Sequence, residues 1–124
     1  MSYKEKVVIR IESKITTLDD FVKELKDNLS KHWEKDLFEY GEIKIFYDYN
    51  VRLNVSVVII DLPNCNWYNY EKEHYSRIIE DTLENYEDKI NYHFVRIGED
   101  LDDMEEEIHG EMKKYLEIVR EVKY

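Results

Sequence analysis

Apolar and polar side chains alternate along residues 5–15: Val7, Ile9, Ile11 and Ile15 fall on one side, Lys6, Arg10, Glu12 and Lys14 on the other, and Val8 breaks the rule. A period of two sends successive side chains to opposite faces of a strand, so the segment predicts a strand with one buried face. The period then lengthens. Leu18, Phe21, Val22, Leu25 and Leu29 recur at helical spacing, Trp33 extends the stripe, and Thr17 offers an N-cap with Asp20 in the first turn. Together they predict a helix over about 18–34.

Alternation returns beyond Gly41. Ile43, Ile45, Tyr47 and Tyr49 form one set, and Leu53, Val55, Val57 and Ile59 a second. Keeping both sets on one face requires Tyr49 opposite Leu53, with Asn50-Val51-Arg52 as a three-residue hairpin loop. Pro63 lacks an N–H and closes the second strand. After an Asn- and aromatic-rich loop at 64–70, a second helix is expected over about 70–87, with Tyr70, His74 or Tyr75, Ile78, Ile79, Leu83 and Tyr86 facing inward. Residues 90–97 read as a fourth strand. The chain's end fits two patterns. Leu116, Ile118, Val122 and Tyr124 suit a strand, whereas Leu101, Met104, Ile108, Met112, Tyr115 and Val119 suit a helix interrupted by Gly110. The β-branched residues favour a short acidic helix or turn followed by a final strand.

The resulting order, β-α-β-β-α-β, predicts an α+β fold of the ferredoxin-like, split βαβ kind. It gives an antiparallel sheet with two helices on one face, plus an added C-terminal acidic turn or helix and strand. The length of 124 residues suits a single domain, 1–124. The opposite sheet face is expected to show Val8, Arg10, Glu12, Lys44, Phe46, Asp48, Asn54, Ser56, Val58 and Ile60. Its apolar patches at Phe46, Val58 and Ile60 call for cover from the C-terminal segment, a partner or a second copy in a homodimer.

Charge adds the next constraint. The net charge is −11, and nearly all of it lies in the second half: ten Lys/Arg meet eleven Asp/Glu in residues 1–60, but eight meet eighteen in 61–124. Such a field disfavours binding to nucleic-acid phosphates or anionic membranes and attracts basic proteins or cations. One cysteine, Cys65, allows no internal disulfide and fits a reducing compartment. With no apolar leader at the N-terminus and a longest apolar run of Val57 to Ile60, a cytoplasmic protein is expected, in the host cytoplasm if viral. The absence of Ala and Gln beside abundant Ile, Lys, Glu, Asn and Tyr points weakly to an AT-rich gene of viral or mobile origin.

The candidate chemistry centres on Gly98 to Gly110, where Glu99, Asp100, Asp102, Asp103, Glu105, Glu106 and Glu107 place seven carboxylates in nine positions. A solvated turn explains such a run. So does a surface presenting charge at the density of nucleic-acid phosphates, which competes for the basic site of a partner. A divalent-metal site on Asp100, Asp102, Asp103, Glu105 and His109 is a third and weaker reading, because a calcium loop needs a central glycine that this stretch lacks, and no cofactor is expected. Trp67, Tyr68 and Tyr70, with Tyr75 beyond, either pack over the sheet edge or anchor an interface, a role for which Trp and Tyr are enriched. His32, His74, His93 and His109 show no metal-ligand spacing, and Cys65 reads as an inert thiol. No phosphate loop, nucleophile elbow, His-Glu-x-x-His or Cys-x-x-Cys occurs, so no enzyme is expected.

In size and charge the chain resembles, as a class, small acidic virus-encoded inhibitors of host nucleases, including anti-CRISPR and anti-restriction proteins. It is also similar to immunity proteins against nuclease toxins. The resemblance implies an inhibitor that occludes a basic nucleic-acid-binding surface of a protein such as a nuclease. Its docking residues would be the seven acids with Trp67, Tyr68 and Tyr70. A metal-binding or small-molecule-binding regulatory domain is the rival expectation.

Overall fold

A computed structural model describes residues 4–32, 41–50, 55–68, 74–100 and 102–111. Strand β1 (Glu5–Ser13) leads into helix α1 (Ile15–His32), the hairpin strands β2 (Lys44–Asn50) and β3 (Val55–Cys65), helix α2 (Tyr75–Asn85), and strands β4 (Asn91–Ile97) and β5 (Met104–His109). The strands form one antiparallel sheet in the order β2-β3-β1-β4-β5, an α+β architecture with two helices.

The first helix starts one turn earlier than expected: the Lys14 carbonyl accepts from the Leu18 N–H at 3.0 Å, so Ile15 opens the helix and is exposed. Thr17 therefore lies inside the first turn and is not its cap. The predicted stripe of Leu18, Phe21, Val22, Leu25 and Leu29 is buried. Trp33 lies outside the described residues. These side chains meet Val7, Ile9 and Ile11 of β1, Tyr75, Ile78, Ile79 and Leu83 of α2, and Phe94 of β4 in the main core. The second helix is shorter than predicted, with His74 as N-cap: its Nδ1 accepts from the Ser76 N–H at 3.2 Å.

The hairpin register is a correction. Tyr49 pairs with Ser56 and Tyr47 with Val58, and Asn50, expected to open the loop, pairs with Val55 as the last residue of β2. The offset from the predicted pairing is odd, and an odd slip turns every side chain of a strand to the other face. Val58, Ile60 and Leu62 therefore join the main core, whereas Val57 and Ile59 pack with Val8, Val95 and Ile97 on the second face. Phe46 on β2 remains exposed as expected. Asn54 and the C-terminal segment offered as cover lie outside the described residues.

The second correction concerns the acidic stretch. Its latter half is β5, an edge strand paired with β4, and not a helix or turn. Helix propensity of Glu loses here to cross-strand pairing with a buried strand. The final strand expected beyond residue 111 lies outside the described residues.

Candidate functional site

Between β4 and β5 the Gly98 N–H donates to the Asp103 carbonyl at 2.8 Å and the Asp103 N–H to the Asp100 carbonyl at 3.1 Å, which closes the hairpin. The register sets Ile97 opposite Met104, Arg96 opposite Glu105 and Phe94 opposite Glu107. The pleat then divides the acids, with Glu105 and Glu107 toward the helices and Glu106 toward the second face.

Arg96 organises the hairpin. Its Nη1 lies 2.7 Å from Glu5 Oε2, its Nη2 2.8 Å from Asp103 Oδ1 and its Nε 3.5 Å from Glu105 Oε2. The Tyr68 ring lies 5.1 Å from the guanidinium carbon. Burial favours the neutral guanidine, but bonds to Asp103 and Glu5 more than offset it and raise the Arg96 pKa. Glu5 also accepts from the Trp67 N–H at 3.1 Å, so one buried carboxylate ties β1 to β4 and to the aromatic loop.

Two more residues of β4 meet acids of β5 diagonally across the ladder. His93 Nε2 lies 3.0 Å from Glu106 Oε2, and the Tyr92 hydroxyl donates to Glu107 Oε1 at 3.3 Å. The rings of Tyr92 and His109 stack at 5.0 Å, and His109 Nε2 lies 2.6 Å from the Glu87 carbonyl. None of the anchors Glu5, Tyr92, His93 and Arg96 was singled out from the sequence as a site residue. The legible signal was Arg96, a cation inside an apolar strand directly before an acidic run.

Beside the hairpin, between α2 and β5, lies a cleft of about 270 Å³. Trp67, Tyr92 and Phe94 line it with rings, while Glu80 and Glu84 of α2, Glu87 just beyond, and Glu105 and Glu107 of β5 line it with carboxylates. Arg77 offsets part of that charge, lying 2.7 Å from Glu80. Burial raises the Glu80 pKa; Arg77 lowers it, but Asp81, Glu107 and Glu105 push it up. The Tyr92 hydroxyl is pushed up to about 12 by burial and then by Glu107, Glu87 and Glu80. Tyr68 reaches about 12 by burial and by donating its hydrogen bond to Glu105. Burial is the first cause of each shift, and neighbouring carboxylates add to it at all three groups.

The proposed docking residues are placed unevenly. Glu106 and Glu107 are exposed on β5, and Asp100 and Asp102 are exposed in the turn. Glu99 is exposed too but accepts from the Lys4 N–H at 2.6 Å. Asp103 and Glu105 are half-buried against Arg96. Trp67 is only 2% exposed and packs 5.1 Å from Phe94, so its ring belongs to the core and is unsuited to be a surface anchor. Tyr68, at 39%, does reach the surface. Tyr70 lies outside the described residues.

Among the described residues no three His, Cys, Asp or Glu side chains are grouped to hold a metal ion, and no helix is long and apolar enough to cross a membrane. Cys65 is buried, and burial, then Glu5, pushes its thiol up to about 12. Comparison with family models, curated proteins and solved structures returns no match.

Proposed function

We propose that the chain is a non-enzymatic acidic inhibitor that docks on the basic nucleic-acid-binding surface of a protein partner, of the anti-CRISPR, anti-restriction or other anti-defence kind. The carrying observation is Glu105-Glu106-Glu107 on an edge strand whose side chains are fixed from behind by Arg96, His93 and Tyr92. A strand advances about 3.4 Å per residue, and each strand of duplex DNA carries one charge per about 3.4 Å of axis. On the helix side Glu105 and Glu107 therefore stand about 6.8 Å apart, two charge steps of one nucleic-acid strand, with Glu106 presented on the other face. Asp100 and Asp102 extend the field along the turn, and the α2 carboxylates widen it. Fixed charges of this kind steer encounter with a basic surface and enforce register.

The reading includes a ferredoxin-like topology for the fold. Its support is the order β2-β3-β1-β4 with every pair antiparallel, as a split βαβ arrangement would require, with β5 beyond β4. Action in the cytoplasm belongs to the same proposal.

The test is surface plasmon resonance against a panel of purified nucleases and restriction or CRISPR effector proteins, with and without their nucleic acids. A partner should bind with an on-rate that falls steeply with salt, be displaced by its own nucleic acid, and lose affinity for the variant carrying Asp100, Asp102, Glu106 and Glu107 all changed to Lys. Binding indifferent to salt, nucleic acid and charge reversal overturns the reading.

A further inference from the structure

We infer that the outer edge of β5 receives an extended, Lys/Arg-rich segment of a basic partner as an added strand of the sheet. The inference rests on the proposed reading that the partner is basic, and goes beyond it by naming the backbone contact. The sheet order makes β5 terminal, and among the described residues it pairs only with β4. The Gly98 N–H to Asp103 carbonyl bond sets the phase of that ladder. Alternation then turns the N–H and C=O groups of Glu105, Glu107 and His109 toward β4, and those of Met104, Glu106 and Ile108 outward. The outward residues are not covered: Met104 is 49% and Ile108 45% exposed.

The side chains define the incoming strand. Glu105 and Glu107 point toward the helix side, where the aromatic-floored cleft adds Glu80 and Glu84; Glu106 points the other way, between Met104 and Ile108. A strand laid along this edge meets the sequence apolar, acidic, acidic, acidic, apolar. Its complement is apolar, basic, basic, basic, apolar, with a long cation opposite Glu107 laying its stem over the Tyr92 ring. A second copy of β5 is excluded by the same charges, because antiparallel self-pairing sets Glu against Glu. The opposite edge, β2, carries Lys44 and Asp48 beside exposed Phe46 and Tyr47 and offers no comparable charge match.

The probe is a synthetic peptide centred on Val-Lys-Arg-Lys-Val, and its control is the same peptide N-methylated at alternate residues, equal in charge but unable to donate to β5. Isothermal titration at moderate salt should show the unmodified peptide binding more tightly by about tenfold or more, since several backbone hydrogen bonds are lost together. Glu106→Pro removes an outward N–H without touching the β4 ladder and should reduce binding to the level of the control, whereas Glu106→Gln should lose only a charge's worth. Equal affinity for both peptides overturns strand addition and leaves charge-driven docking standing. Failure of both peptides to bind, with a basic protein still captured in salt-sensitive fashion, likewise overturns strand addition alone. Should Glu106→Pro not fold, the N-methylated peptide decides.

Discussion

Arg96 Nη1 lies 2.7 Å from Glu5 Oε2, and the pair joins the end of β4 to the start of β1 beneath the acidic hairpin. Both side chains are buried, so removing one strands the other's charge away from water. Arg96→Met should therefore cost about 3–5 kcal/mol in urea unfolding. Adding Glu5→Gln to Arg96→Met should cost less than the two single losses together, as expected for residues in contact. Strict additivity would show that the pair does not interact.

Gly110 adopts φ of +78°, and a Cβ there would collide with Asn91 Oδ1. Asn91 is not free to swing away without cost, since its Nδ2 donates to the Glu111 carbonyl at 2.9 Å. Gly41 has a similar φ of +74°, but a Cβ there meets only Lys44 Cε at 3.8 Å. Gly41→Ala should lose about 1 kcal/mol from backbone strain, and Gly110→Ala visibly more. Thermal melts of the two variants side by side make the comparison.

The Cys65 thiol, raised to about 12 from an ordinary 9.0, holds roughly a thousandfold less thiolate at pH 8 than an unperturbed cysteine. A chromogenic disulfide reagent should label the folded chain very slowly and the urea-unfolded chain at the rate of a free thiol. Fast labelling of the folded chain would show that burial at this site is incomplete.

Glu80 gives the acidic cleft a measurable pH signature. Its folded pKa is raised above 4.5, so between the ordinary and the raised value the folded state holds a proton that the unfolded state has released, and above both the ionised folded group is penalised. Stability from this group is full below the ordinary value and declines as pH rises through the raised one. Glu80→Gln, which cannot ionise, should melt higher than the parent at pH 7 and equally at pH 4. The gain should stay under about 1 kcal/mol, because the side chain is 42% exposed and Arg77 already screens it. A parent that is more stable than the variant at pH 7 would mean the Arg77 ion pair outweighs the cleft's repulsion.

Hydropathic pattern was enough to place β1, α1, the two hairpin strands and β4 as elements, because their apolar positions repeat at each element's period, but it predicted one buried face for β1, whereas β1, β3 and β4 are buried on both. Leu18 through Leu29 and Val7 through Ile11 occupy the core for this reason. The concentration of negative charge after Ile97 is likewise a property of composition that no folding could change. Pairing was not legible. The phase of β3 depended on the turn, where an odd offset decided whether Val57 or Val58 faced the helices. Whether Met104–His109 formed a helix or a strand depended on β4 being present to pair with it, since charged edge positions repeat at neither period. The same long-range contact gathered Glu5, Tyr92, His93 and Arg96 behind the acids, from positions up to 91 residues apart in the chain. Local sequence supplied the charges, and the tertiary fold chose which of them are paired with the body and which face outward, because only spatial neighbours can compensate a carboxylate.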